Sequence, residues 1–271
     1  MMQTLLKIGL GMVVLAVILV GTTFGVLRAH DIDGTARNGS RAMKSETRKV
    51  GTEVNIIILN GPIDLTLKQG ATPSMVAIGE ERLLPRVQTV QEGNTLTIAL
   101  KESLFHLNRP LRVELTLPTL QQLTVHGSGD SAVGGFSGDA LVLAMHGSGD
   151  VRFDGAYRHV HASLSGSGDL ELALANGEDV DLSMLGSGSV TASGQSKSLS
   201  AHLMGSGDLA AEKMQADAVA IDVMGSGDAN VYAKQSATLD VKGSGDIDVH
   251  GNPPHRQVSR MGSGDVSWAK D

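Results

Sequence analysis

Residues 162–172, Ala162-Ser163-Leu164-Ser165-Gly166-Ser167-Gly168-Asp169-Leu170-Glu171-Leu172, decide the fold. Apolar and polar residues alternate up to the tetrapeptide Gly-Ser-Gly-Asp, and the alternation resumes after it. A period of two places successive side chains on opposite faces of a β-strand, and glycines between two such runs mark a turn. The unit therefore reads strand, corner, strand.

The same tetrapeptide begins at Gly127, Gly147, Gly166, Gly205, Gly225, Gly243 and Gly262, and an eighth copy at Gly186 ends in Ser189. Successive copies are 20, 19, 20, 19, 20, 18 and 19 residues apart. Of the residues four and two before each first glycine (Leu123 and Val125, Leu143 and Met145, through to Val258 and Arg260), only Arg260 is not apolar. Of the first and third residues after each corner, such as Val151 and Phe153 or Ile247 and Val249, only Ser131 departs. A strand pair of this length cannot bury its apolar face alone, so neighbouring units must stack with equivalent strands in parallel. The expected fold is all-β: a right-handed parallel β-helix (β-solenoid) with one coil per 19–20 residues. The hand follows the general crossover preference. Eight coils at about 4.8 Å each make a rod about 38 Å long.

The corner glycines are Gly127, Gly129, Gly147, Gly149, Gly166, Gly168, Gly186, Gly188, Gly205, Gly207, Gly225, Gly227, Gly243, Gly245, Gly262 and Gly264. A sharp turn needs positive φ, which glycine adopts freely. The corner Ser hydroxyl and Asp carboxylate are expected to accept backbone N–H groups that the turn removes from the ladder. Stacking sets Asp130, Asp150, Asp169, Asp208, Asp228, Asp246 and Asp265 in a file about 4.8 Å apart. Neighbouring charges at that spacing repel by about 1 kcal/mol in water and about 3.5 kcal/mol at an effective dielectric of 20. Either backbone donors offset this at each corner or hard divalent cations such as Ca²⁺ sit along the file; turn capping is the preferred reading.

Upstream, residues 52–59, 63–67, 75–78, 95–100 and 111–117 also read as strands, with breaks at Asn60-Gly61-Pro62, Glu92-Gly93-Asn94 and Pro118. Residues 50–118 are expected to form less regular coils or a cap, and residues 119–271 the repeat itself. Residues 8–27 form an uncharged apolar stretch between Lys7 and Arg28. As a helix at 1.5 Å per residue it matches the hydrocarbon thickness of a bilayer. Residues 1–29 are thus expected to be a transmembrane anchor rather than a cleaved signal, since Thr23-Phe24-Gly25 makes a poor cleavage site. Residues 30–49 read as a polar tether. Arg28, Arg37, Arg41, Lys44, Arg48 and Lys49 follow the span, and a count of positive residues would hold that side in the cytoplasm.

With the segment before it, the repeat resembles a known family. A strand-rich region runs into Leu117-Pro118-Thr119-Leu120-Gln121-Gln122-Leu123 and then into the GSGD corners. This order, over residues 50–271, is similar to the head GIN domain of putative auto-transporter adhesins, a bacterial envelope family. The resemblance implies a pectin-lyase-like β-helix without catalytic residues, acting in cell adhesion. The β-helix would then lie in the periplasm, tethered to the bacterial inner membrane, or be exported to the cell surface. The cytoplasmic face is the alternative.

Composition narrows the chemistry further. There is no cysteine, which removes disulfides, thiolate metal sites and thiol nucleophiles. A net charge of −7 argues against nucleic acid as partner. No nucleophile elbow, phosphate loop or dinucleotide fingerprint occurs, and no cofactor is implied. His126 and His146 hold equivalent outward positions in adjacent coils, and His159 and His161 alternate on one strand face; surface histidine ladders are expected at both. Met204, Met224 and Met261 face outward as a small apolar patch. A polysaccharide-acting β-helix enzyme lacks support, because few aromatic residues lie outside the span and Phe153 and Trp268 are expected inside. The expected function is non-enzymatic: adhesion or protein–protein assembly by a membrane-anchored β-helix that contacts the bilayer through residues 8–27. Its partner would be a protein or surface ligand, with a homo-oligomer compatible. The alternative is a cytoplasmic-side scaffold polymerising end to end, resembling bactofilins.

Overall fold

The computed structural model describes residues 42–101 and 111–269. The expected anchor and most of the tether lie outside them, and among the described residues no helix is long and apolar enough to cross a membrane. The described chain is an all-β solenoid of eighteen strands in one hydrogen-bonded system. The repeat region comprises β8 (Gln122–Gly127), β9 (Ser131–Gly147), β10 (Val151–Gly166), β11 (Asp169–Leu174) and β12 (Asp179–Gly186). It continues through β13 (Ser189–Gly205), β14 (Asp208–Gly225), β15 (Ala229–Gly243), β16 (Ile247–His250), β17 (His255–Gly262) and β18 (Val266–Trp268).

Parallel pairing carries the first corner glycine of each coil onto that of the next without slippage. Gly127 aligns with Gly147, then Gly166, Gly186, Gly205, Gly225, Gly243 and Gly262. The eight corners bound seven full turns. Register shifts at Asp154/Gly155, Thr191/Ser193 and Ala211/Gln215 mark a second bend, where bulges turn the long strands.

Alternation sets the core. Leu123, Leu143, Ala162, Leu182, Ala201, Ile221 and Leu239 are all buried, as are Val151, Leu170, Val190, Leu209, Ala229 and Ile247 beyond the corner. Phe136, Phe153 and Tyr157 fill the space inside the first coils, with Phe153 and Tyr157 rings 5.9 Å apart. Tyr157 donates its hydroxyl to the Leu120 carbonyl at 2.6 Å, so the polar end of this buried ring is satisfied. Burial pushes its phenol up to about 12.

The upstream segment supplies the solenoid's first coils and its end. Strands β2 (Ile56–Asn60) and β3 (Ile63–Gln69) lie parallel to β8 and β9. The break at Asn60-Gly61-Pro62 is therefore a corner: Gly61-Pro62-Ile63-Asp64 stands where the repeat has Gly-Ser-Gly-Asp. Gly61 has φ +110°, and its N–H donates to the His126 carbonyl at 2.7 Å. On the other side of this coil lie β6 (Thr95–Leu100) and β7 (Leu111–Leu117), again parallel. The direction then reverses. Strand β4 (Ser74–Glu80) runs antiparallel to β7, and β5 (Val87–Glu92) antiparallel to β6.

Residues 43–48 correct the expected tether, because they form β1 (Met43–Arg48), antiparallel to β4. Arg48 fastens it. Its guanidinium donates to the Val87 and Leu84 carbonyls and to Thr89 Oγ1, joining β1 to β5 and to the 3-10 turn at Leu84–Arg86. These bonds hold a polar stretch in the sheet although it has almost no apolar face to bury. The outermost strand carries Lys44, Glu46 and Arg48, and charge on an edge strand discourages further pairing.

The corners explain the glycines. The first of each has φ between +127° and +149°. A Cβ on Gly166 would overlap the Gly147 carbonyl oxygen, and one on Gly168 the Gly149 carbonyl oxygen. The second glycine is thus required by close backbone approach rather than by its dihedral. Replacing Gly166 by Val should destabilise the rod by at least about 3 kcal/mol, because strain and overlap act together. Thermal or urea unfolding measures this, and an unchanged transition would contradict the corner assignment.

Candidate functional site

The corner aspartates are placed in a file, as their spacing predicts, but their bonding differs from the expected turn caps. The backbone ladder is not broken at the corner: Ser148 N–H donates to the Gly127 carbonyl at 3.1 Å, and Ser167 N–H to that of Gly147 at 3.0 Å. At most corners the N–H of the fourth residue has no backbone acceptor among the described residues, and the carboxylate of the preceding coil supplies one. Asp130 N–H donates to Asp64 Oδ1 at 3.2 Å, Asp150 N–H to Asp130 Oδ1 at 3.0 Å, and Asp169 N–H to Asp150 Oδ1 at 3.2 Å. Beyond Ser189, Asp228, Asp246 and Asp265 repeat the bond at 2.8–2.9 Å. The coils stack in register, so these donors point along the axis and not back into their own turn. Each carboxylate serves its neighbour.

Ser189 interrupts the file. Its N–H and hydroxyl both donate to Asp169 Oδ1, at 3.1 and 2.6 Å. Offering no carboxylate, it leaves Asp208 N–H to the Gly188 carbonyl at 3.3 Å. The corner serines also depart from expectation. Their backbone N–H groups carry the ladder, and Ser226 and Ser244 place their hydroxyls 3.1 Å apart. Among the described residues no three His, Asp or Glu side chains converge as a metal site.

The outer face before the corners carries the histidines. His126 and His146 stack, centroids 4.8 Å apart and planes 10° from parallel. Burial, and then the neighbouring ring, hold His126 below its ordinary pKa. His159 and His161 lie in register with Asp179 and Asp181 of the next coil. Their Nδ1 atoms are 3.0 and 3.2 Å from the respective Oδ2 atoms. The hydrogen bond to Asp181 raises the His161 pKa against the opposing effect of burial, and the same bond lowers that of Asp181. Counting back from the corner glycines Gly166 and Gly186 sets the members of each pair at the same distance, so the repeat spacing could have found them.

Beside the corner, Leu185, Met204 and Met224 follow one another in consecutive coils, 54%, 44% and 39% exposed. Met261 is 73% exposed in the last coil. On the face after the corner, a groove of 610 Å³ opens where Ala132, Gly134 and Gly135 carry little or no side chain. Lys68, Gln69, Arg152, Asp154 and Glu171 rim it, with Arg152 Nε 3.0 Å from Glu171 Oε2. The only hint in the sequence was the Gly134-Gly135 pair inside a strand, where a glycine often marks a gap or bulge.

The last coil differs from the rest. Arg256, Val258 and Arg260 occupy the register of the buried Ala237, Leu239 and Val241, yet all of β17 is exposed. The Arg256 guanidinium lies 4.1 Å from the Trp268 ring centroid, and Arg260 Nη1 is 3.0 Å from Asp265 Oδ1. Trp268 is packed against the core but only partly buried, short of the interior place expected for it.

The file can be tested at Asp150. Asp150→Ala should cost about 1 kcal/mol by leaving the Asp169 N–H without its acceptor. Asp150→Asn should stay within about 0.5 kcal/mol of the parent or exceed it, since the amide oxygen still accepts while charge repulsion falls. Urea unfolding of the three proteins decides, and equal stability of the alanine variant would remove the ladder bond as a contributor.

Comparison with known proteins agrees with this architecture. Putative adhesins from Parabacteroides distasonis and Parabacteroides merdae have TM-scores of 0.78 and 0.76 at 23% and 20% identity. The alignments cover 85% and 86% of this chain and 98% of each of theirs. A structure described as a putative lipid binding protein, also from P. distasonis, matches at 25% identity with a TM-score of 0.77, covering 86% of this chain and 98% of that one. No curated protein sequence matches. The family model described as putative auto-transporter adhesin, head GIN domain, matches residues 54–253, from the first buried residue of the cap to the penultimate coil. The chain belongs to that family.

Proposed function

We propose that this chain is a non-enzymatic, membrane-anchored protein of the bacterial envelope whose right-handed β-helix acts in adhesion or protein–protein assembly through its lateral faces. The observation that carries the reading is where binding chemistry is exposed. The histidine–aspartate face, the Leu185–Met224 column and the groove rimmed by Lys68 and Arg152 all lie along the sides. Mixed charge with scattered apolar side chains suits a protein or surface partner. Membership of an adhesin family supports the same role. The anchor rests on residues 8–27, whose uncharged length suits a bilayer. We place the β-helix outside the cytoplasm, in the periplasm or at the surface, giving family more weight than the positive residues after the span.

The end-to-end scaffold is less favoured for a chemical reason. Stacking on β17 would bury the Arg256 guanidinium, which has no carboxylate partner among the described residues, and the Arg260–Asp265 pair, and desolvating such charges costs several kcal/mol that one ion pair offsets only in part. Charges pointing inward on an edge strand are a recognised block to edge pairing.

Two measurements test this reading. Alkaline phosphatase fused after Asp271 should be active and a fluorescent protein fused there dark; the reverse result would place the β-helix in the cytoplasm. Restoring the repeat pattern with Arg256→Ala and Arg260→Val together should raise the association state above that of the parent in light scattering at matched concentration. No increase would mean that the arginines do not guard this edge.

A further inference from the structure

His159 and His161 flank the buried Val160 on β10, so both rings stand on the outer face of one strand, about half exposed. Each Nδ1 is engaged by a carboxylate of the next coil, Asp179 at 3.0 Å and Asp181 at 3.2 Å. Asp179 is itself held, because Ser198 Oγ–H donates to its Oδ1 at 2.7 Å. A carboxylate at Nδ1 fixes the proton there and leaves the lone pair on Nε2, and it sets the orientation of the ring. Neither Nε2 has a hydrogen-bond partner among the described residues.

Alternate residues on a strand are about 6.6 Å apart. Two nitrogens bound to one tetrahedral ion at about 2.0–2.1 Å lie about 3.3 Å from each other. A modest tilt of two five-membered rings toward each other closes that difference. Nitrogen donors suit zinc or copper rather than calcium or magnesium.

We propose that His159 and His161 form a two-imidazole chelate for a divalent transition metal, Zn²⁺ or Cu²⁺, with Asp179 and Asp181 orienting the rings. Among the described residues no third His, Asp or Glu completes the set. The remaining coordination positions therefore belong to water or to a donor on an approaching molecule. The ion would sit on a lateral face, open to solvent, and the inference stands whether or not that face is adhesive. His126 and His146 provide an internal control: they stack between coils and have no carboxylate partner among the described residues.

The test is titration of the full chain, in mild detergent, with Zn²⁺ by calorimetry and with Cu²⁺ by electron paramagnetic resonance. One high-affinity ion per chain is expected, with a copper spectrum showing two nitrogen donors. His159→Ala and His161→Ala should each weaken binding at least about tenfold and leave one donor. Asp181→Asn should weaken it about tenfold through ring orientation alone. The double variant His126→Ala, His146→Ala should bind like the parent. Melting without metal shows that each variant is folded. Absence of binding, an unchanged spectrum after His161→Ala, or loss confined to the His126/His146 variant would overturn the proposal.

Discussion

The solenoid depends on how closely one corner backbone lies on the next. From the Gly147 corner onward, a glycine carbonyl of one coil occupies the space where a Cβ of the following coil would stand, while the adjacent Ser N–H donates to that same carbonyl. No side chain fits between, so the turn is made by residues without one, and every turn must return to the same point. Hence the nearly constant repeat length. The bulges at the second bend absorb the residue or two by which coils differ. Once the corners are superposed, the alternating residues on both sides are superposed too, and the apolar column is continuous.

The sequence revealed this part of the fold because close approach permits so few residue types. Eight near-identical corners and two apolar positions on each side leave little freedom in fold class. The ninth corner escaped for the opposite reason. A Cβ at Gly61 would meet nothing nearer than Leu100 Cβ, at an ordinary 3.5 Å, because among the described residues no corner lies on its other side, although its own carbonyl oxygen stands where a Cβ on Gly127 would be. Pro62 and Ile63 are therefore accommodated, and the motif is reduced to its first glycine and its aspartate. Strands β1 and β5 were not anticipated, because their pairing depends on long-range hydrogen bonds, with Arg48 central to one of them, and not on an apolar period.

The surfaces were less legible than the core. Outward positions carry no packing constraint, and their meaning lies in the neighbour one coil away. His159 and Asp179 each stand seven residues before a corner glycine, so their pairing becomes legible once positions are compared between coils rather than along one strand. The groove after the corner likewise comes from missing side chains on β9, visible once Lys68 and Arg152 are known to flank it. Arg260 was the exception in an apolar series, and the structure accounts for it: it occupies a core position in a coil that nothing among the described residues covers.

The aspartate ladder also has a direction. Each fourth-position N–H is satisfied by a carboxylate already laid down in the turn before it, never by one still to come. A chain winding from its amino-terminal side thus meets a prepared acceptor at every step, whereas winding in the reverse sense would leave each donor waiting. Ser189 is the one gap in that relay, dividing the rod into two runs of templated turns that meet at a backbone-only joint.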